Sequence, residues 1–210
     1  MSGSHARPLS YGYQSIKGRL QLIDEQICGR ESLQIEYDDK GRVQVLKEPE
    51  AQKEGLQPSW TFVYGDGFTD VYNREAVKSR YLYDALLQLK AIELYDRSSV
   101  LQRIDRFIWG SSSNAIALLL AQIVADGAGK VHSYRSFSYD DRGNIIEERL
   151  YGNLTGNGRA HLQIDEEGAL LHADTEECHC KSFSYSNEGL NLPIGAKDCK
   201  ANRASYHYDP

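Results

Sequence analysis

Apolar and polar residues alternate in short runs along much of the chain, and clusters of Asp, Gly and Asn separate these runs. In Phe137–Tyr151, two alternating flanks enclose the segment Asp140-Asp141-Arg142-Gly143. Alternation with a period of two is typical of strands that have one apolar face, and a short Asp- and Gly-containing turn joins such strands into a hairpin. The pattern predicts antiparallel hairpins over residues 35–48 and 137–150, with turns at Asp38–Gly41 and Asp140–Gly143.

The phrase Tyr-Asp-x-x-Gly-x-aliphatic, in which x is any residue, recurs along the chain. It is complete at Tyr37–Val43 and Tyr139–Ile145, whereas Leu87 and Ser99 replace the glycine in the copies that begin at Tyr83 and Tyr95. Partial copies lie at residues 11–20, 126–131, 165–170 and 185–190. The residues assigned to repeat turns are Tyr37, Asp38, Gly41, Tyr83, Asp84, Tyr95, Asp96, Tyr139, Asp140, Gly143, Gly168, Tyr185 and Gly189.

Each position of the phrase has a physical role. The Asp carboxylate can accept hydrogen bonds from backbone N–H groups across the turn. The Gly can adopt the positive φ that a hairpin loop of this length requires. A single hairpin is only marginally stable in water, so successive copies are expected to pair edge to edge. The predicted fold is therefore all-β, a large curved sheet of successive antiparallel hairpins.

The predicted domain organisation is a disordered or extended segment over residues 1–10, followed by a single repeat domain over residues 11–210 that stops within its last copy. Two segments inside this domain also match helical spacing, namely residues 76–94 and residues 114–125. The strand interpretation is favoured for both and helix is the alternative. The first segment contains Tyr81-Leu82-Tyr83-Asp84, which aligns with the repeat, and the second leads directly into the Asp126 turn.

Composition supports a β protein that does not bind nucleic acid. The 210 residues include 14 Tyr and 18 Gly but one Met, a bias towards strands and turns. The net charge is −6, with acidic and basic residues interspersed, whereas nucleic-acid binding requires clustered Lys and Arg.

The N-terminal MSGSHARPLS lacks the apolar core of a secretory signal. The longest apolar run, Ala115–Ala121, is too short to span a bilayer. We therefore expect a soluble protein, without membrane insertion, that is cytoplasmic or exported by a non-classical route.

Candidate catalytic and metal-binding residues do not form a recognised pattern. The six histidines lack zinc-protease spacing, and neither a Gly-x-Ser-x-Gly elbow nor a P-loop occurs. The pairs Asp38-Asp39 and Asp140-Asp141 occupy turn positions of the repeat. The segment Cys178-His179-Cys180, even with Cys199, falls short of the paired motifs of structural zinc sites. The sequence therefore predicts no enzymatic activity, no metal and no cofactor.

Tyr-Asp-x-x-Gly-Arg, together with an aromatic residue two positions upstream, resembles the YD repeat of the Rhs family. The match is best at Ile35–Val43, Tyr81–Leu101 and Ser133–Leu150, and the resemblance covers residues 11–210. The run Glu148–Gly156 is similar to the continuation found in one branch of bacterial Rhs proteins, and Phe183–Leu192 is similar to a variant repeat of that branch.

This resemblance implies a fold and a function. In Rhs proteins, toxin-complex shells and teneurins, many such repeats build a spiralling β-sheet shell, which in bacterial members encloses a toxic enzyme domain. This chain has too few copies for a closed shell, and it has no recognisable effector domain or self-cleavage segment. The resemblance thus implies a non-enzymatic structural piece of an encapsulating shell associated with polymorphic toxins or surface proteins. The implied partners are adjoining Rhs segments, or copies of itself through open sheet edges, with toxin cargo or a glycan as further possibilities. A carbohydrate or cell-surface binding module that uses the aromatic side chains is the alternative.

Overall fold

The computed structural model describes residues 8–49, 55–111, 117–156, 161–174, 177–186 and 191–208. Within these ranges the regular structure consists of seventeen β-strands. The strands are β1 (Leu9–Ile16), β2 (Arg19–Ile27), β3 (Arg30–Tyr37), β4 (Val43–Pro49), β5 (Leu56–Gly65), β6 (Phe68–Asn73), β7 (Lys78–Tyr83), β8 (Leu89–Tyr95), β9 (Leu101–Trp109), β10 (Leu119–Asp126), β11 (Val131–Tyr139), β12 (Ile145–Gly152), β13 (His161–Ile164), β14 (Leu170–Asp174), β15 (Cys178–Tyr185), β16 (Pro193–Asp198) and β17 (Arg203–Ser205). Among the described residues, no helix has the length and apolar character needed to cross a membrane.

Strand pairing follows chain order with one interruption. Hydrogen bonds join β1 to β12 consecutively, and β12 then pairs with β15, which continues to β16 and β17. Within the described ranges β1 and β17 each have one neighbour, so the sheet is not closed. The prediction of an all-β fold built from successive antiparallel hairpins is confirmed.

Both hairpins predicted from the complete repeats are present. Tyr37 pairs with Val43 across the turn between β3 and β4, and Tyr139 pairs with Ile145 across the turn between β11 and β12. In each hairpin the register shifts by one residue just before the tyrosine. Such a bulge is expected where a turn residue has positive φ and adds one residue to one strand.

Where the structure describes the segments with helical spacing, they form strands and turns and contain no helix. Residues 76–94 contain β7 and most of β8, and residues 119–125 belong to β10, while residues 112–116 lie outside the described ranges. The Leu- and Ala-rich composition favours helix only weakly, and tertiary pairing overrides such a preference. Here each segment adds a strand to the sheet, which satisfies its backbone groups along the strand.

The chain divides into two compact units. The first comprises residues 1–81 and 95–99, and the second comprises residues 82–94 and 100–210. Among the described residues of the first unit, the two buried side chains are polar, Ser59 and Asp70. The Arg80 guanidinium donates to both Asp70 carboxylate oxygens at 2.7 and 2.8 Å, and this hydrogen bonding lowers the pKa of Asp70. The described part of this unit is therefore sheet without a buried apolar cluster.

The second unit contains an apolar core because one hairpin leaves the large sheet. Strands β13 and β14 form a separate two-stranded sheet, although the repeat at residues 165–170 was expected to pair edge to edge like the others. Leu162 of this hairpin packs with Ile123, which is fully buried, and with Tyr134. The remaining members of the cluster are Ala121 and Val131, with Ile108, Tyr151, Ile164, Leu170 and Ala173 packed against it.

Gly168 lies in the turn of this hairpin, between β13 and β14. Its φ is +90°, and a Cβ atom there would lie 2.5 Å from Ile108 Cδ1 and 3.3 Å from Ile123 Cδ1. A side chain would therefore strain the backbone and collide with the core. Glycine at this position allows the turn to approach the large sheet closely.

Candidate functional site

The repeat turns are the candidate functional site, and the turn at Asp140 has the full set of bonds. The Asp140 N–H donates to Asn144 O at 3.0 Å, and the Gly143 N–H donates to Asp140 O at 3.1 Å. The side-chain Oδ1 of Asp140 accepts from the N–H groups of Arg142 and Asn144 at 3.0 and 2.8 Å. One carboxylate thus replaces the two backbone acceptors that these N–H groups would have in a regular ladder.

The same geometry recurs at the other turns. Asp38, Asp84 and Asp126 form the same four bonds to the residues two, three and four positions later. Asp96 accepts from the N–H groups of Ser98 and Ser99. Asp165 shares the turn as well, because it accepts from the N–H groups of Gly168 and Ala169.

The residue three positions after the Asp always has positive φ in these turns. Gly41, Gly129 and Gly143 have φ of 77°, 87° and 81°. Leu87 and Ser99, which replace the glycine, have φ of 62° and 61°. The left-handed conformation therefore belongs to the position and not to glycine alone, and the side chains at Leu87 and Ser99 cost about 1–2 kcal/mol of backbone strain.

Two further copies of the turn were missed in the sequence. Asn73 accepts from the N–H groups of Glu75, Ala76 and Val77, and Asp198 accepts from those of Lys200, Ala201 and Asn202. The left-handed position is alanine in both, with φ of 60° at Ala76 and 64° at Ala201. A template would have found Tyr72-Asn73 only by allowing Asn for Asp, Ala for Gly and Lys78 at the aliphatic position, and it would still have missed Asp198, which follows Lys197.

The copy at Tyr185 departs from this geometry. The Ser186 N–H donates to Leu192 O at 2.9 Å, and the Ser186 hydroxyl accepts from the Leu192 N–H at 3.3 Å. The loop is thus two residues longer than the turn at Asp140. Gly189, which was assigned to this turn, lies outside the described residues.

In several hairpins an aromatic side chain donates to a backbone carbonyl of the strand that precedes it in the sheet. The hydroxyls of Tyr139 and Tyr185 donate to Leu119 O at 2.7 Å and to Ile145 O at 3.0 Å. Each acceptor is the first residue of the preceding strand. The same link joins Tyr64 to Val43, Trp109 Nε1 to Leu89, and Tyr208 to Pro193.

Tyr37 makes a related bond, in which its hydroxyl donates to Leu22 O at 2.7 Å, and Leu22 lies within β2 instead of at its start. Tyr83 and Tyr95 are half-buried at the ends of β7 and β8, and Lys78 Nζ lies 3.7 Å from the centroid of the Tyr95 ring. Val43, Leu89 and Ile145 are the aliphatic residues of the repeat phrase, so an aromatic side chain of the next hairpin binds the backbone of the copy before it. We call the bonds from Tyr64, Trp109, Tyr139, Tyr185 and Tyr208 to these first-residue carbonyls the aromatic-to-carbonyl links.

The electrostatics of these groups suit structural roles. The side-chain amide of Asn144 donates to Asp140 and, with the turn N–H groups, lowers the pKa of that carboxyl. The backbone N–H of Arg42 has the largest such effect at Asp38. Burial raises the pKa of Tyr139, and burial together with the Asp140 charge raises that of Tyr185. At neutral pH these carboxylates are ionised acceptors and these hydroxyls are protonated donors, which is the state that the turn bonds require.

The cysteines and histidines do not add a metal centre to this arrangement. Cys28, Cys178, Cys180 and Cys199 are free thiols. Across the part of the chain that the structure describes, no three His, Cys, Asp or Glu side chains are placed to hold a metal ion.

Comparison with known proteins identifies the fold but no family. No family model matches the chain, and no curated protein matches it. One match is a crystal structure of TcdB2–TccC3–Cdc42, with 12% sequence identity and a TM-score of 0.52. The match covers 84% of the present chain and 8% of the chain in that structure. A second structure, of TcdB2–TccC3, matches over 88% of this chain and 14% of that chain, with 11% identity and a TM-score of 0.42. A porin-like protein from Bacteroides uniformis matches over 83% of this chain and 85% of that chain, with 10% identity and a TM-score of 0.35.

At these low sequence identities the similarity concerns the fold alone. It rests on the match to TcdB2–TccC3–Cdc42, whose TM-score is 0.52. The chain spans less than a tenth of the matching TcdB2–TccC3–Cdc42 chain. Its hairpin sheet therefore has the fold of a small part of a much longer protein.

We expect Leu87→Gly to stabilise the protein by up to about 1 kcal/mol, because glycine removes the strain of positive φ and the lost side chain is 80% exposed. Leu86→Gly is the matched control, since Leu86 is 74% exposed and has no positive φ. This control should lower the stability by about 0.5–1 kcal/mol. Urea unfolding of both variants tests the expectation, and equal effects would contradict the assignment of strain to residue 87.

We expect Tyr139→Phe to lower the free energy of unfolding by about 1 kcal/mol, because the variant leaves the part-buried Leu119 carbonyl without its donor. Tyr13→Phe, at a ring that is 56% exposed, should change it by much less. Chemical denaturation measures both values. A Tyr139→Phe protein as stable as the Tyr13→Phe protein would mean that the aromatic-to-carbonyl links do not stabilise the fold.

Stability should fall with acid because the turn carboxyls titrate. The pKa values of Asp38, Asp126, Asp140 and Asp198 are lowered in the folded state, so their contribution is present above the unfolded value of about 3.9 and is lost as pH falls through the folded values. Asp140→Asn should keep the turn, as Asn73 does, and reduce the acid sensitivity of the melting temperature. Asp141→Asn, which removes the same charge one residue later, is the control and should melt like the unmodified chain from pH 6 to about pH 2.

Proposed function

We propose that the chain is a non-enzymatic structural segment of an Rhs-type encapsulating shell, of the kind associated with polymorphic toxins or surface proteins. The observation that carries this proposal is the row of turns with one shared geometry, joined from hairpin to hairpin by the aromatic-to-carbonyl links. Such a row can be lengthened by one hairpin at a time, because each new copy needs only the strand before it. This is the property that a wall made of repeats requires.

Two further findings support the proposal. The described residues of the first unit form sheet without buried apolar side chains, which is expected of a wall one sheet thick. The fold matches part of TcdB2–TccC3–Cdc42, and the sequence resembles the YD repeats of the Rhs family. The repeat Asp side chains bind the N–H groups of their turns, and Tyr37, Tyr139 and Tyr185 bind backbone carbonyls, which favours a structural role for these residues over a catalytic one.

Adjoining repeat segments, or further copies of the chain, are the partners that we propose. Directly after β17, the N–H of Tyr206 donates to Ile194 O, so the backbone N–H and C=O groups of the even-numbered residues point towards β16. Those of Arg203 and Ser205 in β17 therefore point the other way. Outward N–H and C=O groups on an edge strand are a template for another strand. Enclosed toxin cargo would then be held by a wall assembled from several segments.

A carbohydrate or cell-surface binding module remains the alternative. The hydroxyls of Tyr37, Tyr139 and Tyr185 are bound to backbone carbonyls, which favours a packing role for the repeat tyrosines. A glycan would instead have to stack on exposed rings such as Tyr11 and Tyr13, which are 49% and 56% exposed on β1.

Sedimentation velocity of the 210-residue chain over a hundredfold concentration range tests the proposed partner contact. We expect concentration-dependent association, and we expect Ser205→Pro to reduce it, because proline removes an outward N–H without removing a bond to β16. Ser205→Ala keeps this N–H and should associate like the unmodified chain. A strict monomer throughout, or equal association of the two variants, would exclude this edge as the contact between segments.

A further inference from the structure

Three cysteines lie near one another where β15 pairs with β16 in the large sheet. Cys178 and Cys180 are two residues apart on β15 and therefore share one face of the strand. Cys199 follows β16 directly. Cys178 and Cys199 are exposed and Cys180 is half-buried.

The strand register places Cys180 and Cys199 opposite each other. Lys181 pairs with Asp198, and the Cys199 N–H donates to Cys180 O at 3.0 Å. Directly opposed residues in such a pair have Cα atoms about 5.5 Å apart, within the range of about 4.4–6.8 Å that disulfides span. Their Cβ atoms, normally about 4.5–5.5 Å apart, need to approach by roughly 1 Å, which the turn that begins at Cys199 can accommodate.

The two thiols do not contact each other in the reduced protein, and closure requires rotation of the Cys180 side chain. Cys199 Sγ lies 3.7 Å from Cys178 O, on the β15 side of its own strand. Cys180 Sγ lies 3.7 Å from Glu147 Oε1 on β12, and rotation about χ1 would turn it towards β16. Glu147 would lose little, because Arg149 binds both of its carboxylate oxygens at 2.9 and 3.0 Å.

We propose that Cys180 and Cys199 are a thiol pair that closes into a cross-strand disulfide when the protein meets a small-molecule disulfide such as oxidised glutathione. The exposed Cys199 thiolate attacks one glutathione sulfur, forms a mixed disulfide and releases one glutathione thiolate. The Cys180 thiolate then attacks the Cys199 sulfur and releases the second glutathione. Two protein thiols are oxidised, one small disulfide is reduced to two thiols, and the two protein protons pass to the released thiolates.

The order of these steps follows from the environments of the two sulfurs. Cys199 is the thiol that a dissolved reagent reaches first, because it is exposed. Burial and the nearby Glu147 carboxylate raise the pKa of Cys180, so this thiol reacts second, when the mixed disulfide lies opposite it.

The consequence of closure would be a covalent clamp on the hairpin. The bond would enclose residues 181–198, which contain the long loop after Tyr185, and it would restrict the unfolded chain. A reducing compartment would leave the clamp open, and an oxidising exterior would close it. This inference is independent of the proposed shell function, because it concerns only the hairpin of β15 and β16.

Equilibration of the full chain with reduced and oxidised glutathione, followed by alkylation of free thiols and peptide mass spectrometry, tests the proposal. We expect a cross-linked Cys180–Cys199 peptide, with Cys28 and Cys178 alkylated. Trypsin leaves Cys178 and Cys180 on one peptide, so the Cys178→Ser variant identifies the partner of Cys199. That variant should still form the cross-link, whereas Cys180→Ser and Cys199→Ser should not form it.

Thermal melting supplies a second measurement. Oxidation should raise the melting temperature of the unmodified chain and of Cys178→Ser by about 5 °C or more, and it should leave Cys180→Ser and Cys199→Ser without this gain. The melting temperature of each variant under reducing conditions shows whether it folds. A Cys178–Cys199 cross-link, a stable glutathione adduct without cross-linking, or no gain in melting temperature would overturn the proposal.

Discussion

This fold depends on the hydrogen bonds that the backbone N–H groups of each turn donate to the Asp or Asn side chain at its start. At Asp140 the side-chain oxygen satisfies two N–H groups while the backbone closes the loop in both directions. The chain thereby reverses within a few residues, and the residue at the left-handed position introduces the bulge that follows. Among the described strands the same reversal follows β3, β6, β7, β8, β10, β11, β13 and β16, so half of the sixteen connections are turns of similar width.

A turn of this kind joins two strands, but something else must join one hairpin to the next. Backbone hydrogen bonds between neighbouring strands make part of that connection. The aromatic-to-carbonyl links add hydrogen bonds from a side chain of one hairpin to the backbone of the hairpin before it. The bond from Tyr139 to Leu119 holds the start of β10, where the ladder would otherwise end at a loop. The apolar core around Ile123 is a local addition in the second unit, where the hairpin of β13 and β14 covers one face of the sheet.

The repeat phrase was sufficient to predict the hairpins at residues 35–48 and 137–150 and their turns, because the hydrogen bonds of a turn are local and depend on a few adjacent residues. It could not predict the acceptor of each tyrosine, since Leu119 and Ile145 are defined by the register between separate hairpins. It also did not predict that the Gly168 hairpin leaves the large sheet. That departure depends on Leu162 finding Ile123 on another strand, a long-range contact that alternation within β13 does not encode.

The copies at Asn73 and Asp198 have a consequence for how such proteins diverge. Their turns keep the hydrogen bonds although alanine stands where other copies have glycine, and Asp198 follows a lysine instead of a tyrosine. The turn geometry therefore tolerates departures at several positions of the phrase, including two in one copy, as long as a side-chain acceptor remains at the start of the turn. Hairpins that share this turn can therefore lose recognisable sequence similarity to each other while they still build the same sheet.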